Sequence, residues 1–151
     1  MIRAAEYRSK FCDSPHLNLW VNGEPIQEWL HRQVPAGDLE GLVPAWLGWL
    51  NEDAEREIVR ERMFPRVGET QLVPLLVCPD DLDFSCTLVI AEVSATGEDV
   101  VWERLGLDRT RSPDPSDVGT QVEWFAIPSI RFPRAVYLEC VKRFGELQPA
   151  P

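Results

Sequence analysis

The chain has 151 residues, 44% of them hydrophobic, and carries 25 acidic against 15 basic residues for a formal net charge of -10. This length fits one domain, and the composition is that of a globular protein rather than a disordered one. The excess of negative charge argues against direct binding to nucleic acid or to an anionic membrane and favours a basic protein partner.

The sequence also bears on the compartment and on the state of the cysteines. The opening residues, MIRAAEYRSKF, lack the apolar core of a signal peptide, and no stretch approaches the length of an apolar membrane helix. We therefore expect a cytoplasmic protein. In that compartment the 4 cysteines, at positions 12, 78, 86 and 140, are expected to be thiols, and their irregular spacing is no disulfide framework.

The first half of the chain predicts a pair of strands followed by two helices. The alternation in HLNLWV predicts a strand that ends at Asn22-Gly23 and pairs with IRAAEYR before it. The apolar stripe of IQEWLHRQV predicts a helix that begins at Pro25, and AWLGWL predicts a short helical turn. The clearest helix signal is NEDAEREIVRERMF, for which Asn51 is the expected N-cap.

The second half predicts a sheet and a closing helix. Apolar runs predict strands near residues 72–78, 86–93, 99–105 and 121–127, and SATGE should join the second and third of these as a hairpin. PRAVYLECVKRFG predicts a helix near 133–144 that packs on the sheet and ends at Gly145. The residues expected to be buried are Leu75, Val77, Leu88, Ile90, Val101, Trp102, Tyr137 and Val141.

These elements indicate the α+β class. We predict a single domain over residues 1–146, with a central, mainly antiparallel sheet on which the helices pack. Residues 147–151 are predicted to form a frayed tail.

The residue types needed for common catalytic sites are scarce. Nucleophilic catalysis needs a base poised near neutral pH, and the only histidines are His16 and His31. His31 is expected to serve as a cation at a helix C-terminus, and His16 has no nucleophile near it in sequence. No nucleotide-binding glycine pattern and no EF-hand loop is present. We therefore expect no enzyme, no catalytic residue and no cofactor.

The stretch VCPDDLDFSC, from Val77 to Cys86, is the most unusual part of the chain. Cys78 and Cys86 bracket three aspartates, but their C-x7-C spacing lies outside the usual C-x2-4-C of structural zinc sites. Completing four cysteine ligands would require Cys12 and Cys140 from the two ends of the chain. We expect ordinary thiols at strand ends and no metal.

Parts of the second half resemble an uncharacterised family of small bacterial proteins. Its members typically carry P-L-Y-V-C-P-E-C-G-D-x-G-C-G followed by V-V-W-x-x-F-G-Y-E. The similar stretches here are VPLLVCPDDLDFSC, VVWERLGLD and FAIPSIRFPRAVYLECV, with weaker similarity over the opening strands and NGEPIQEWL. The matching residues are Pro74, Leu75, Val77, Cys78, Pro79, Asp80, Asp83, Cys86, Val100, Val101, Trp102, Gly106 and Asp108.

This chain departs from the family pattern at three positions. Asp81 stands where the family often has a middle cysteine, and Ser85 and Thr87 stand where it has glycines. A metal site drawn from the Cys-rich members would therefore lose a ligand here. The resemblance implies a compact α+β fold and a bacterial source, and it carries no activity.

The leading interpretation is a binding protein of the immunity type, which neutralises a basic, nuclease-like toxin domain in the cytosol. An acidic inhibitor gains electrostatic steering toward such a domain. The alternatives are an acidic regulatory module or nucleic-acid mimic, and a metal or thiol protein centred on Cys78 and Cys86. The predicted partner-binding residues are Asp80, Asp81, Asp83, Phe84, Asp108, Asp114 and Asp117.

Overall fold

The computed structural model describes residues 1–10 and 12–147. Its strands are β1 (Ile2–Tyr7), β2 (His16–Val21), β3 (Glu24–Pro25), β4 (Val43–Pro44), β5 (Thr70–Val77), β6 (Leu88–Ala95), β7 (Asp99–Asp108), β8 (Val122–Trp124) and β9 (Ile130–Pro133). Its α-helices are α1 (Ile26–Gln33), α2 (Asp53–Met63) and α3 (Arg134–Gly145). No helix within these ranges is both long enough and apolar enough to cross a membrane.

The strands form two antiparallel sheets. The smaller sheet has the order β1-β2-β3, and the larger has the order β4-β5-β6-β7-β8, with β9 pairing the first half of β7. Every strand pair in the described residues is antiparallel, and the four strands expected near residues 72–127 all lie in the larger sheet. The predicted α+β class with a mainly antiparallel sheet is therefore confirmed.

The turn between β2 and β3 follows directly from its two residues. Asn22 and Gly23 both have positive φ, at 51° and 85°, which is the requirement of a type I′ two-residue hairpin. The ladder closes on either side of the turn, where Val21 pairs with Glu24. The predicted opening strand pair is likewise present, with Ile2 opposite Val21.

Proline in the middle of β5 is accommodated by an irregularity of the sheet. The pairing of β5 with β6 shifts register between Pro74 and Leu76, as expected where a residue without an N–H interrupts a ladder. The Pro74 carbonyl accepts a 2.8 Å hydrogen bond from the indole of Trp46, a fully buried side chain. Trp46 lies in a single 3-10 turn, Ala45–Leu47, within the stretch that was predicted as a short helical turn.

Aromatic side chains from β7, β9 and α3 form the centre of the core. Trp102 packs edge-on against Phe132 at 4.9 Å between ring centroids, and its indole N–H donates a 3.0 Å hydrogen bond to the Tyr137 hydroxyl. All three side chains are at most 1% exposed. The packing of α3 on the sheet therefore depends on one apolar cluster that contains a satisfied polar pair.

Three details of the sequence-based prediction were wrong. Helix α2 has Glu52 rather than Asn51 at its N-cap position. Val101 is only partly buried, because successive residues of a strand face opposite sides and Val100 and Trp102 occupy the core side of β7. The strand β9 was not predicted.

In the predicted tail, the Leu147 N–H donates a hydrogen bond to the Phe144 carbonyl at 3.0 Å, and residues 148–151 lie outside the described part of the chain.

Candidate functional site

A groove of about 570 Å³ is lined by three segments: the start of α2, the loop between β5 and β6, and the long loop after β7. Its charged lining residues are Glu52, Glu55, Asp108, Arg111 and Asp114. We call this the acidic groove, because four carboxylates stand against one guanidinium. Phe84 contributes a partly buried aromatic side chain to the same lining.

Asp108 fixes the long loop to the end of β7. Its Oδ1 accepts hydrogen bonds from the Thr110 hydroxyl at 2.7 Å and from the Gly119 backbone N–H at 3.1 Å. Gly119 has a φ of +87°, and a Cβ there would lie 2.8 Å from the Cβ of Leu72, so glycine is required on both counts. Asp108 therefore holds the loop in place as well as lining the acidic groove.

Three other aspartates also bond to their own loops. Asp114 Oδ1 accepts from the N–H and hydroxyl of Ser116, at 2.9 and 2.7 Å, and these hydrogen bonds lower the pKa of Asp114. Asp117 accepts from the Ser112 hydroxyl at 2.6 Å. Asp83 accepts from the N–H and hydroxyl of Ser85, at 2.9 and 2.6 Å. Replacing any of them would change local structure as well as charge.

Arg62 secures the far side of the long loop. Its guanidinium donates to the carbonyls of Leu72, Val118 and Ser116, at 3.1, 3.0 and 2.8 Å. A basic residue in the last turn of a helix ordinarily interacts favourably with the helix C-terminus, and Arg62 lies in the last turn of α2. The structure instead shows a side chain that joins α2, β5 and the groove loop.

Glu55 is the buried carboxylate of the acidic groove. It is 9% exposed, and both of its oxygens lie 3.2 Å from the backbone N–H of Phe84, which donates to them. Burial raises the pKa of Glu55, and the hydrogen bond from Phe84 opposes that shift. The sequence did not indicate a role for Glu55, because acidic residues in the first turn of a helix are common and interact favourably with the helix dipole.

The loop of residues 78–86, here called the thiol loop, brings two cysteines and an aspartate together. The Sγ atoms of Cys78 and Cys86 and a carboxylate oxygen of Asp81 all lie within 4.8 Å of one another. Burial and a hydrogen bond with Cys78 raise the pKa of Cys86 to about 11. The spacing of the cysteines suggested only other cysteines as metal ligands, and Asp81 was therefore missed.

Asn51 anchors the thiol loop from outside. Its side-chain amide donates to the Asp81 carbonyl at 2.9 Å, and its backbone N–H donates to the Leu82 carbonyl at 3.0 Å. Leu82 has a φ of +51°, an uncommon conformation for a leucine, and its N–H donates to the Cys78 carbonyl at 3.1 Å. The loop therefore has a defined shape that is held from two sides.

A buried serine–histidine contact lies elsewhere, at the start of β2 in the smaller sheet. Because a carbonyl only accepts, His16 Nδ1–H donates to the Leu17 carbonyl at 2.8 Å, and Nε2 then accepts from the Ser9 hydroxyl at 2.6 Å. Ser9 is 1% and His16 6% exposed, and neither lines the acidic groove. We interpret the pair as part of the polar core that also contains Asn18 and Gln27.

The other histidine lies at the end of α1, as predicted. His31 is in the last turn of that helix, and its Nε2 lies 3.3 Å from a Glu40 carboxylate oxygen. His31 also does not line the acidic groove. Neither histidine is therefore placed beside the carboxylates of the groove.

The predicted partner-binding residues divide into two sets. Phe84, Asp108 and Asp114 converge on the acidic groove, whereas the other four do not line it: Asp80, Asp81, Asp83 and Asp117. Comparisons of the chain with family models, with curated proteins and with solved structures each found no match. The family resemblance stays a prediction, and functional inference rests on the geometry of this chain.

Proposed function

We propose that the chain is a binding protein, an immunity-type inhibitor that neutralises a basic, nuclease-like toxin domain in the cytosol. The main support is the acidic groove, where residues far apart in sequence, Phe84, Asp108 and Asp114, meet Glu52 and Glu55. A concentration of carboxylates at one concave surface is what a basic partner segment would recognise.

Electrostatics favours a basic occupant. The groove contains four carboxylates and one guanidinium, and the formal net charge of the whole chain is -10. Complementary charge raises association rates, on the order of 10⁸–10⁹ M⁻¹s⁻¹ at low salt in the best cases. Fast association suits an inhibitor that must act before its target damages the cell.

The groove also offers a position for specific contacts. Phe84 is partly buried and packs against the core, so its ring is held at the groove wall instead of moving freely. Rigid aromatic side chains next to desolvated charge pairs are common energetic centres of protein interfaces. A lysine or arginine of the partner would pair with Glu55 or Asp114 while its aliphatic stem contacts this ring.

The proposal predicts that a gene beside this one encodes a basic, nuclease-like toxin domain, and that domain is used for the test. Co-expression of the chain should restore growth of cells producing that domain, and the two purified proteins should form a complex. Glu52→Lys should slow association and flatten its dependence on ionic strength, because Glu52 lines the groove and makes no side-chain cap bond.

Glu139→Lys is the matched control, since it makes the same change of charge at an exposed position of α3 outside the groove. It should leave association close to that of the wild type. Equal effects of the two variants would show a general charge effect and would move the interface elsewhere. A neighbouring toxin that is neither bound nor neutralised would overturn the proposal.

A further inference from the structure

The convergence of Cys78, Asp81 and Cys86 has the dimensions of a metal site. Their ligand atoms lie within 4.8 Å of one another. In tetrahedral zinc sites the Zn–S distance is about 2.3 Å and the Zn–O distance about 2.0–2.2 Å, which puts ligand atoms roughly 3.5–3.8 Å apart. Side-chain rotations that move these ligand atoms by about 1 Å would therefore bring all three to coordinating distance.

Hydrogen bonds hold the backbone around the three ligands in place. Cys78 directly follows β5, and its N–H donates to the Thr87 carbonyl at 3.1 Å, so the larger sheet fixes both ends of the thiol loop. Asp81 follows Cys78 after two intervening residues, a separation that chelating turns commonly use. Asn51 holds the Asp81 backbone through its side-chain amide, so the position of Asp81 depends on another part of the fold.

The donor set selects the kind of metal. Two thiolates favour Zn²⁺ over Mg²⁺ or Ca²⁺, which take oxygen ligands, and a carboxylate is a normal third ligand of zinc. Asp81 is exposed and both cysteines are partly exposed, so solvent reaches the cluster. Three protein ligands with a solvent-accessible fourth position are typical of open zinc sites rather than closed structural ones.

We propose that Cys78, Asp81 and Cys86 bind one Zn²⁺ ion through two thiolates and one carboxylate, with water as the fourth ligand. On binding, each thiol loses its proton to solvent and forms one Zn–S bond, while the Asp81 carboxylate forms a Zn–O bond. No oxidant or reductant takes part. This site does not depend on the proposed function, because its three ligands lie outside the lining of the acidic groove.

The first experiment measures metal in the full chain, expressed with zinc in the medium and purified under reducing conditions without chelator. Elemental analysis should find about one equivalent of zinc per chain. Cobalt(II) added to the metal-free chain should give thiolate-to-cobalt charge-transfer absorption and the strong visible bands of tetrahedral coordination. Cys78→Ser and Cys86→Ser should abolish both signals, whereas Cys12→Ser, at another partly exposed thiol, should keep them.

The carboxylate ligand has its own matched pair of variants. Asp81→Asn should weaken zinc binding, measured in competition with a chromophoric chelator, by at least the roughly 10–100-fold cost of losing a supporting outer-shell residue. Asp80→Asn removes the neighbouring exposed carboxylate and should leave the affinity unchanged. Equal losses in the two variants would show a general charge effect and overturn the role of Asp81.

A measurement on the wild-type chain tests the proposal even if the variants fail to fold. Zinc should slow alkylation of Cys78 and Cys86, mapped by mass spectrometry, and should leave the rate at Cys12 unchanged. Substoichiometric metal that survives Cys78→Ser is an adventitious ion only and overturns the proposal. The proposal also fails if the reduced chain binds no zinc and instead forms a Cys78–Cys86 disulfide on exposure to a mild oxidant.

Discussion

The side-chain amide of Asn51 donates a 2.9 Å hydrogen bond to the backbone carbonyl of Asp81, across 30 residues of sequence. The backbone N–H of Asn51 adds a 3.0 Å bond to Leu82. Glu55, one helical turn further along, accepts from the N–H of Phe84. Asn51 and the first turn of α2 therefore position the thiol loop and the aromatic wall of the acidic groove, so one segment of the chain supports both candidate sites.

Asn51→Ala should loosen the thiol loop without unfolding the protein. The lost side-chain hydrogen bond predicts a decrease of about 1 kcal/mol in the free energy of unfolding, measured with urea. Amide hydrogen exchange should speed up within residues 78–86 and stay unchanged in β7. Glu57→Ala, on the exposed face of α2, is the control and should leave exchange in the loop unchanged. Unaltered loop exchange in Asn51→Ala would contradict the anchoring role.

Tyr137→Phe should cost more stability than a typical tyrosine-to-phenylalanine change. The Trp102 indole N–H donates a 3.0 Å hydrogen bond to the Tyr137 hydroxyl within a fully buried cluster. Burial also raises the pKa of Tyr137 far above its usual value. Removing the hydroxyl leaves a buried donor unpaired, a loss of about 1–3 kcal/mol. The control is Tyr7→Phe, at a partly exposed tyrosine, with a smaller expected loss.

A double-mutant cycle separates this hydrogen bond from general packing. Trp102→Phe and Tyr137→Phe should show a coupling free energy of about 0.5–3 kcal/mol, as contacting residues do. Additive effects of the two substitutions would show that the polar contact contributes nothing to stability.

The elements with strong local signals could be predicted from the sequence. Asn22-Gly23 specifies its turn by backbone preference alone, and the apolar runs of β5, β6 and β7 indicate a sheet whatever their partners are. The short strand β9 could not be predicted, because four residues carry little periodic signal and its pairing with β7 is a long-range contact.

The candidate sites were harder to predict than the fold. Asp81 was counted as surface charge because only the folded loop turns its carboxylate toward Cys78 and Cys86. Asparagine is a residue type that favours helix N-caps, so Asn51 was interpreted as a cap. Its hydrogen bond to Asp81, 30 residues away, depends on the fold and could not be predicted. The hydrogen bond between Ser9 and His16 was missed because the residues between them have no periodic pattern. Nothing in the sequence therefore indicates that the two side chains meet.

Gly106→Ala should disrupt the pairing of β8 with β7. A Cβ at this position would overlap the Glu123 carbonyl oxygen and would lie 2.8 Å from the Trp124 Cα, both of which are backbone atoms that cannot rotate away. Overpacking of this kind costs about 1–3 kcal/mol, measured by urea unfolding. Gly97→Ala is the matched control, because a Cβ there meets nothing within 4 Å. Similar stability of the two variants would contradict the close approach of β8.

His16 should make stability depend on pH in the mildly acidic range. Burial lowers the pKa of His16 below its ordinary value of 6.5. As the pH falls below about 6.5, the unfolded chain takes up a proton that the folded chain does not, so the free energy of unfolding decreases. The decrease is at most about 1.4 kcal/mol for each pH unit and ends once the pH is below the pKa of the folded state.

The contribution of His16 is isolated by comparing wild type with His16→Gln at each pH. Glu55 acts in the opposite direction, because its pKa is raised above the ordinary 4.5, so its protonation stabilises the folded chain as the pH falls. Both proteins carry Glu55, and its effect cancels in the difference. The difference should be constant well above pH 6.5, where the imidazole is neutral in both states, and should shift in favour of His16→Gln as the pH falls through that value. Parallel pH profiles of wild type and His16→Gln would show that the buried imidazole accepts a proton as readily as a solvated one, with the Ser9 hydroxyl turning to the Leu42 carbonyl 3.2 Å away.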